Sequence, residues 1–371
     1  MWIDADLCGG NIHLVRKHHG GSAELTLQHD SASPIRQWFH FRVRGAQGSH
    51  LELSIVNAGE ASYPHGYYHY RALASYDLER WFRIDTHFDG RKLVLRHRPE
   101  DDVVHYSYFG AYPLDRQRTL LTRASSVPWM RVDSIGRSIE GRSIDLVSFG
   151  NDGPGKRRIW ISARQHSGET MAAFFAEGVI ERLLDGDDEV TRALLDDCVI
   201  FIVPNVNPDG SARGNFRTNA AGRDLNREWA FPNAEASPEV LAVRSAMEEA
   251  GVDLYLDIHG DETEPCIFAV GCAGNPRYSD RLHWLERRFA GGLVKCDRGF
   301  SPEHDYGPND PGKGDLRIAN NWVGERFDCL SMTIEMPFKD VAPADGFSPD
   351  RARSFGRRTL ECVLESLDAL R

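Results

Sequence analysis

The sequence predicts an α/β domain, with a mixed central sheet and helices on both faces, preceded by an antiparallel β-sandwich. Three observations carry that prediction. At 371 residues the chain exceeds the size at which one hydrophobic core stops growing, so two domains are expected. Its first third reads as short alternating strands, and the remainder alternates nearly continuous apolar runs with stretches of helical spacing. A change of composition in "LLTRASSVPWM" then puts the boundary between Leu121 and Val127, giving residues 1–123 to the sandwich and 124–371 to the α/β domain.

In the first part, "FHFRVRG" alternates Phe39, Phe41 and Val43 with His40, Arg42 and Arg44, the period-two pattern of a strand with one buried face. "LELSIV", "KLVLRHR" and "VVHYSYF" repeat it, separated by Gly, Asn, Asp and Pro clusters. The tyrosines of this region (Tyr63, Tyr67, Tyr68, Tyr70, Tyr106, Tyr108, Tyr112) read first as core and interdomain packing, with a ligand groove as the alternative. Past the boundary, "IDLVSFG", "RRIWISA", "CVIFIVP" and "VDLYLDIHG" are strands covered on both faces. Between them, "GETMAAFFAEGVIERLLDG" predicts a helix closed by Gly186. "SPEVLAVRSAMEEAG" predicts one capped by Ser237, begun by Pro238 and stopped at Gly251, and "DRARSFGRRTLECVLESLDAL" a third.

Composition excludes several classes of function. With 41% apolar and 27% charged residues and no repeat, the chain is globular throughout. A net charge of -11 argues against a general nucleic-acid or anionic-membrane surface, because either needs an excess of Lys and Arg. No apolar run approaches the roughly 18 residues of a membrane span, and the start has neither the basic residues nor the apolar core of a secretory signal. The seven cysteines, odd in number and far apart, read as reduced thiols in a cytoplasmic protein, and Cys266 and Cys272 lack the partners for a structural zinc site.

Candidate chemistry gathers where the predicted strands end, which is where sites form in open α/β sheets. His166 and Glu169 follow the strand "RRIWISA", and His259 follows "VDLYLDI". A His-x-x-Glu alone is a weak signal. Two His and one carboxylate at strand ends match the three protein ligands of a zinc hydrolase, which leaves a fourth position to water. Between them, Asn207 to Trp229 is a long Gly-, Asn- and Arg-rich loop, and such loops inside compact domains are usually functional. Its Arg217, Arg223 and Arg227 suit capture of a carboxylate, while Arg213 reads as a solvated surface charge. Glu335 lies in the apolar run "LSMTIEMPF", where a carboxylate is costly unless paired or used; a raised pKa there suits a general base.

The ordered series "HSGE", "NPDG", "GNFR", "GRDLNR", a His after "LDI" and "TIEMPF" resembles the zinc metallocarboxypeptidases of the M14 family. Within that family the chain is most similar to the cytosolic carboxypeptidase (Nna1-like) branch, whose leading sandwich "FHFRV", "LELSIVNAG" and "DDVVHYSYFGAYP" resemble. The resemblance implies a carboxypeptidase-like fold and one Zn²⁺ held by His166, Glu169 and His259. It implies Glu335 as general base and acid, Arg217 as stabiliser of the oxyanion, and Asn226 with Arg227 as the grip on the substrate's terminal carboxylate. Asp224 resembles the carboxylate that orients the first ligand His, a role with independent physical sense. The implied partners are C-terminal tails of peptides or proteins. Many relatives place a Tyr over the substrate shortly before the catalytic Glu; this chain has none between Pro308 and Glu335, which leaves Tyr306 as the nearest candidate and Trp322 as an apolar lid.

In "PNDPGKGDLRIANNW", Lys313 and Arg317 resemble basic positions that the cytosolic branch uses for acidic residues, so a Glu-ending substrate is expected to be preferred. Two rivals remain: a zinc amidase or deacylase on a small N-acyl amino acid, as in aspartoacylase-like relatives with a similar "HxxE" and "DLNR" pattern, and a non-catalytic peptide-binding module. The sandwich disfavours the first, and retention of Glu335 and every ligand disfavours the second. Oligomeric state is not legible.

Overall fold

A computed structural model describes residues 1–306, 310–340 and 346–370. The chain begins with β1 (Trp2–Asp4), β2 (His13–Lys17), β3 (Ser22–Thr26), β4 (His40–Arg44), β5 (Leu51–Ile55), β6 (Leu73–Ser75), β7 (Phe82–Arg83), β8 (Asp85–Phe88), β9 (Leu93–His97) and β10 (Val103–Ser107). Among the described residues these form two five-stranded sheets, ordered β1-β4-β10-β6-β7 and β2-β3-β5-β9-β8. All pairings are antiparallel except β3 with β5, which run parallel. Phe39, Phe41 and Val43 are buried as their alternation demands; His40 departs from its predicted exposed face, because Trp38 and Trp81 cover it edge-on.

The second part runs α1 (Leu114–Ala124), β11 (Met130–Arg137), β12 (Ser143–Phe149), β13 (Arg157–Ala163), α2 (Thr170–Leu183), α3 (Glu189–Asp197), β14 (Cys198–Val203), α4 (Pro208–Arg213) and α5 (Pro238–Ala250). It continues with β15 (Leu254–Asp261), β16 (Phe268–Val270), α6 (Asp280–Cys296), α7 (Ala319–Phe327), β17 (Leu330–Pro337) and α8 (Pro349–Ser366). Its sheet is mixed, in the order β11-β12-β14-β13-β15-β17-β16, with the four strands β14, β13, β15 and β17 parallel. Helix α1 occupies a stretch where the sequence reads as strand and turn; the expected domain boundary falls at its C-terminal end.

The three foreseen helices form, with local differences. Helix α2 stops at Leu183, and Gly186 instead makes room for the ring of Trp129, which would meet a Cβ at 2.7 Å. Ser237 does not cap α5: its hydroxyl donates to Glu228. Gly251 does end α5, at φ 84°, a backbone conformation that only glycine adopts without strain.

One continuous apolar cluster runs from the sandwich into the α/β domain. At the junction, Tyr108 stacks on Phe338 with ring centroids 4.4 Å apart, and Phe109 lies against Phe347. Tyr67, Tyr70, Tyr106, Tyr108 and Tyr112 are buried as packing residues. All seven cysteines are free thiols. Among the described residues no helix is long and apolar enough to cross a membrane.

Candidate metal centre and active-site cavity

Three neighbouring parallel strands deliver the site. At the end of β13, Arg164 turns the chain with φ 58°, a conformation costly outside glycine. Its buried guanidinium offsets that cost by donating to the carbonyls of Ser167 and Tyr112, fixing the turn that carries His166 and Glu169. His259 lies within β15, directly beside Glu335 of β17 in the parallel register.

His166, Glu169 and His259 are all buried, and one ligand atom from each lies within 4.8 Å of the others. The Glu169 carboxylate sits 2.7 Å from His166 Nδ1 and 2.8 Å from His259 Nδ1, with the two Nδ1 atoms 3.2 Å apart. Both rings turn their Nε2 away from the cluster onto a carboxylate, His166 to Asp224 at 2.9 Å and His259 to Asp257 at 2.9 Å. Donation from Nε2 leaves each Nδ1 as the lone-pair nitrogen aimed at the cluster, so the donor set fits zinc. Burial pushes Glu169 up, but the two imidazoles outweigh it and hold the carboxyl below the usual range. Burial likewise disfavours charge on His259, yet Asp257 and Glu169 raise its pKa well above the ordinary value. Such a concentration of negative charge favours a cation at the centre.

A cavity of about 520 Å³ opens onto this cluster. Glu335 lines it, only 7% exposed, and among the described residues its Oε2 has no hydrogen-bond partner. Burial, moderated by His259 and reinforced by Glu169 and Asp261, pushes its pKa up to about 8. Arg217 reaches the same cavity, held by its Nε donating 2.7 Å to Asp224. Although burial opposes its charge, Asp224, Tyr63, Glu169 and Glu262 raise its pKa. Asp224 therefore joins two functions, one oxygen on His166 and the other on Arg217. Asn226 and Arg227 line the cavity from the following turn; the Asn226 side chain accepts from Ala319 N at the start of α7, and Arg227 donates to the Asn226 carbonyl.

The specificity candidates divide. Lys313 lines the cavity and pairs with Asp310. Arg317 does not line it; its guanidinium binds Asp315, a wall residue, and holds that carboxyl below the usual carboxylate range. Pro308 and Asn309 of the same segment lie outside the described residues. Tyr306 is at the cavity, its hydroxyl donating 2.9 Å to Asp261 and its ring edge-on to Phe268. Trp322 is no lid: it is buried between Trp229, Phe327 and the guanidinium of Arg244, away from the cavity. Arg223 pairs with Glu228 and Arg213 with Glu140, so neither faces the metal cluster.

Asp257 and Glu262 were not among the residues expected at the site. The first had a signal: in "LDIHG" a carboxylate sits two residues before a ligand His, on the same face of a buried strand. Asp257 is 0% exposed and also accepts two bonds from Gln165 and one from Ser162. Glu262, directly after β15, lines the cavity, and so does Tyr63 of the sandwich, for which a ligand groove was the alternative to packing.

Residues 119–355 match the zinc carboxypeptidase family, Peptidase M14, and residues 3–109 match the cytosolic carboxypeptidase N-terminal domain. The chain belongs to the M14 zinc carboxypeptidase family. This M14 metallocarboxypeptidase is 42% identical to a metallo-carboxypeptidase from Pseudomonas aeruginosa solved with (2-guanidinoethylmercapto)succinic acid, with a TM-score of 0.96 and full coverage of both chains. A metallo-carboxypeptidase from Burkholderia cenocepacia is 38% identical, with a TM-score of 0.96 over 99% of each chain. Cytosolic carboxypeptidase 6 of Caenorhabditis elegans is 25% identical over 91% of this chain and 78% of its own length. The mouse protein of that name is 26% identical over 73% of this chain, which spans only 55% of the mouse protein.

Proposed function

We propose that this metallocarboxypeptidase removes the C-terminal residue of peptide or protein tails in a zinc-dependent reaction, in the cytoplasm, and prefers a terminal Glu. One observation carries the reading: a buried carboxylate oxygen of Glu335, without a hydrogen-bond partner among the described residues, shares a cavity with the His166, Glu169 and His259 cluster and with Arg217, Asn226 and Arg227.

Zinc held by His166, Glu169 and His259 supplies Lewis acidity toward water and toward the scissile carbonyl. Glu335, raised toward neutral pH by its burial, takes the proton of the attacking water and returns it to the leaving amine nitrogen. Arg217, fixed through Nε, presents its outer nitrogens to the oxygen on which charge develops. Arg227, with no ion-pair partner among the described residues, takes the terminal carboxylate in a fork of N–H donors beside Asn226. This orientation cuts one residue in from the C-terminus. Lys313 supports the acidic preference as the cationic wall residue of its segment, while Arg317 acts through Asp315, whose charge it neutralises.

The test is a panel of peptides identical but for a last residue of Glu, Leu or Lys, run on wild type and Lys313→Ala with and without a chelator. We expect the Glu peptide to be trimmed fastest, its advantage to shrink in Lys313→Ala, and all trimming to stop with chelator. Equal rates for the three peptides remove the acidic preference; activity that survives complete metal removal removes the zinc mechanism.

A further inference from the structure

The loop that carries Arg217 is gripped from two sides. On the α/β side, Gly168 N donates 2.7 Å to the Phe216 carbonyl, in a contact so close that a Cβ on Gly168 would lie 2.7 Å from the Phe216 ring. The other grip comes from the N-terminal sandwich. Asp30, 3% exposed, directs one carboxylate oxygen at Phe216 N (2.6 Å) and the other at Arg217 N (2.8 Å), Thr218 N (2.9 Å) and Thr218 Oγ1 (3.1 Å). Three successive backbone N–H groups thus close on one buried carboxylate, an anion nest whose charge is supplied by the other domain. The next residue repeats the link, since Ser31 N and Oγ both donate to Asn215 Oδ1. Tyr63, also from the sandwich, packs its ring against Phe216 and lies 5.9 Å from the Arg217 guanidinium carbon.

A carboxylate buried this completely is expensive unless every oxygen is satisfied, and here the satisfying donors are the backbone of the residues flanking a catalytic cation. Their φ and ψ are therefore set before substrate arrives. We propose that Asp30 is a positioning residue for Arg217, so that the sandwich completes the active site. The proposal rests on the reading that Arg217 stabilises the developing oxyanion. A group needed only in the transition state shows its misplacement in kcat, with KM little changed.

The experiment is a double-mutant cycle on the full zinc-loaded chain: wild type, Asp30→Asn, Arg217→Ala and the double variant, with kcat and KM measured on a Glu-ending peptide. Bound zinc and the hydrogen exchange of the Phe216, Arg217 and Thr218 amides are followed in parallel. Asp30→Asn keeps the side chain's shape but turns an N–H₂ toward groups that are themselves donors. We expect it to lower kcat about 10- to 100-fold, the order that a displacement of about 1 Å produces, with KM within about 3-fold. Its amides at 216–218 should exchange faster while zinc stays stoichiometric, and in the Arg217→Ala background it should cause no further loss. Equal losses in both backgrounds, or wild-type kcat in Asp30→Asn, overturn the proposal. Full activity in Arg217→Ala alone overturns the underlying reading of Arg217, and is recognised without touching Asp30. If Asp30→Asn does not fold, the same cycle with Thr218→Val, which keeps the carboxylate and removes one of its four donors, decides by the same criteria at a loss of about 3- to 10-fold.

Discussion

At the scale of single residues, the site is a set of side chains each held by another. Asp224 and Asp257 orient the two imidazoles, and removing such a carboxylate typically lowers metal affinity about 10- to 100-fold. Asp257→Ala is therefore expected to weaken zinc binding by that factor, read by competition with a chelating indicator; unchanged affinity would show that the ring needs no such support. Glu335→Gln is expected to retain zinc and lose about 10²- to 10⁴-fold in kcat, the usual contribution of a general base. Full activity in that variant would remove Glu335 from the chemistry. Much of this constellation was legible in the sequence because His166 and Glu169 follow one apolar run, His259 comes at the end of another, and Glu335 stands alone in a third. Asp257 was as legible by the same logic. The direction of Arg317 was not, since its neighbour Asp315, two residues away, captures the guanidinium that the segment's resemblance assigned to the cavity.

Elements place these residues, and their contacts leave little room. Gly168, inside the His166–Glu169 turn, touches Phe216 so closely that Gly168→Ala must shift the turn or the Arg217 loop. Overpacking of this kind typically destabilises by about 1–3 kcal/mol. We expect Gly168→Ala to lower the unfolding midpoint and to weaken zinc binding together; loss of stability with normal zinc affinity would show that the loop yields and the ligand turn does not. The strong periodic helices were readable, whereas α1 was not. Its buried face includes Gln117, bonded to Asp145 and Asn205, and its Arg116 is locked to Glu177, so polar residues interrupt the apolar stripe. The parallel pairing of β3 with β5 was equally hidden, because the period of two that marks a strand is the same for either direction of its neighbour.

For the whole molecule, the shared apolar core and the hydrogen bonds of Asp30 to residues 216–218 join the sandwich and the α/β domain in one packed unit. That unit carries an acid-sensitive point in the sandwich. His40 is 1% exposed, and among the described residues neither ring nitrogen has a partner; burial, then His105 and Arg42, lower its pKa to about 3. The unfolded chain binds a proton there below about pH 6.5 and the native state does not. This contribution to stability is thus complete above about pH 6.5 and is lost as the pH falls toward 3, by up to about 1.4 kcal/mol per pH unit. We expect the urea midpoint of His40→Leu to fall less between pH 7 and pH 5 than that of wild type; an equal fall would place the acid sensitivity elsewhere.

In the proposed reaction a metal-loaded site, with the substrate oriented by Asn226 and Arg227, acts on a free C-terminus. The most direct measurement follows by mass spectrometry one Glu-ending peptide beside its C-terminally amidated twin, each incubated with the zinc-loaded protein and with chelated protein. We expect stepwise loss of C-terminal residues from the free-acid peptide with zinc alone, and an amidated twin that stays intact. Equal cleavage of the amidated peptide, or fragments from internal bonds, would contradict it.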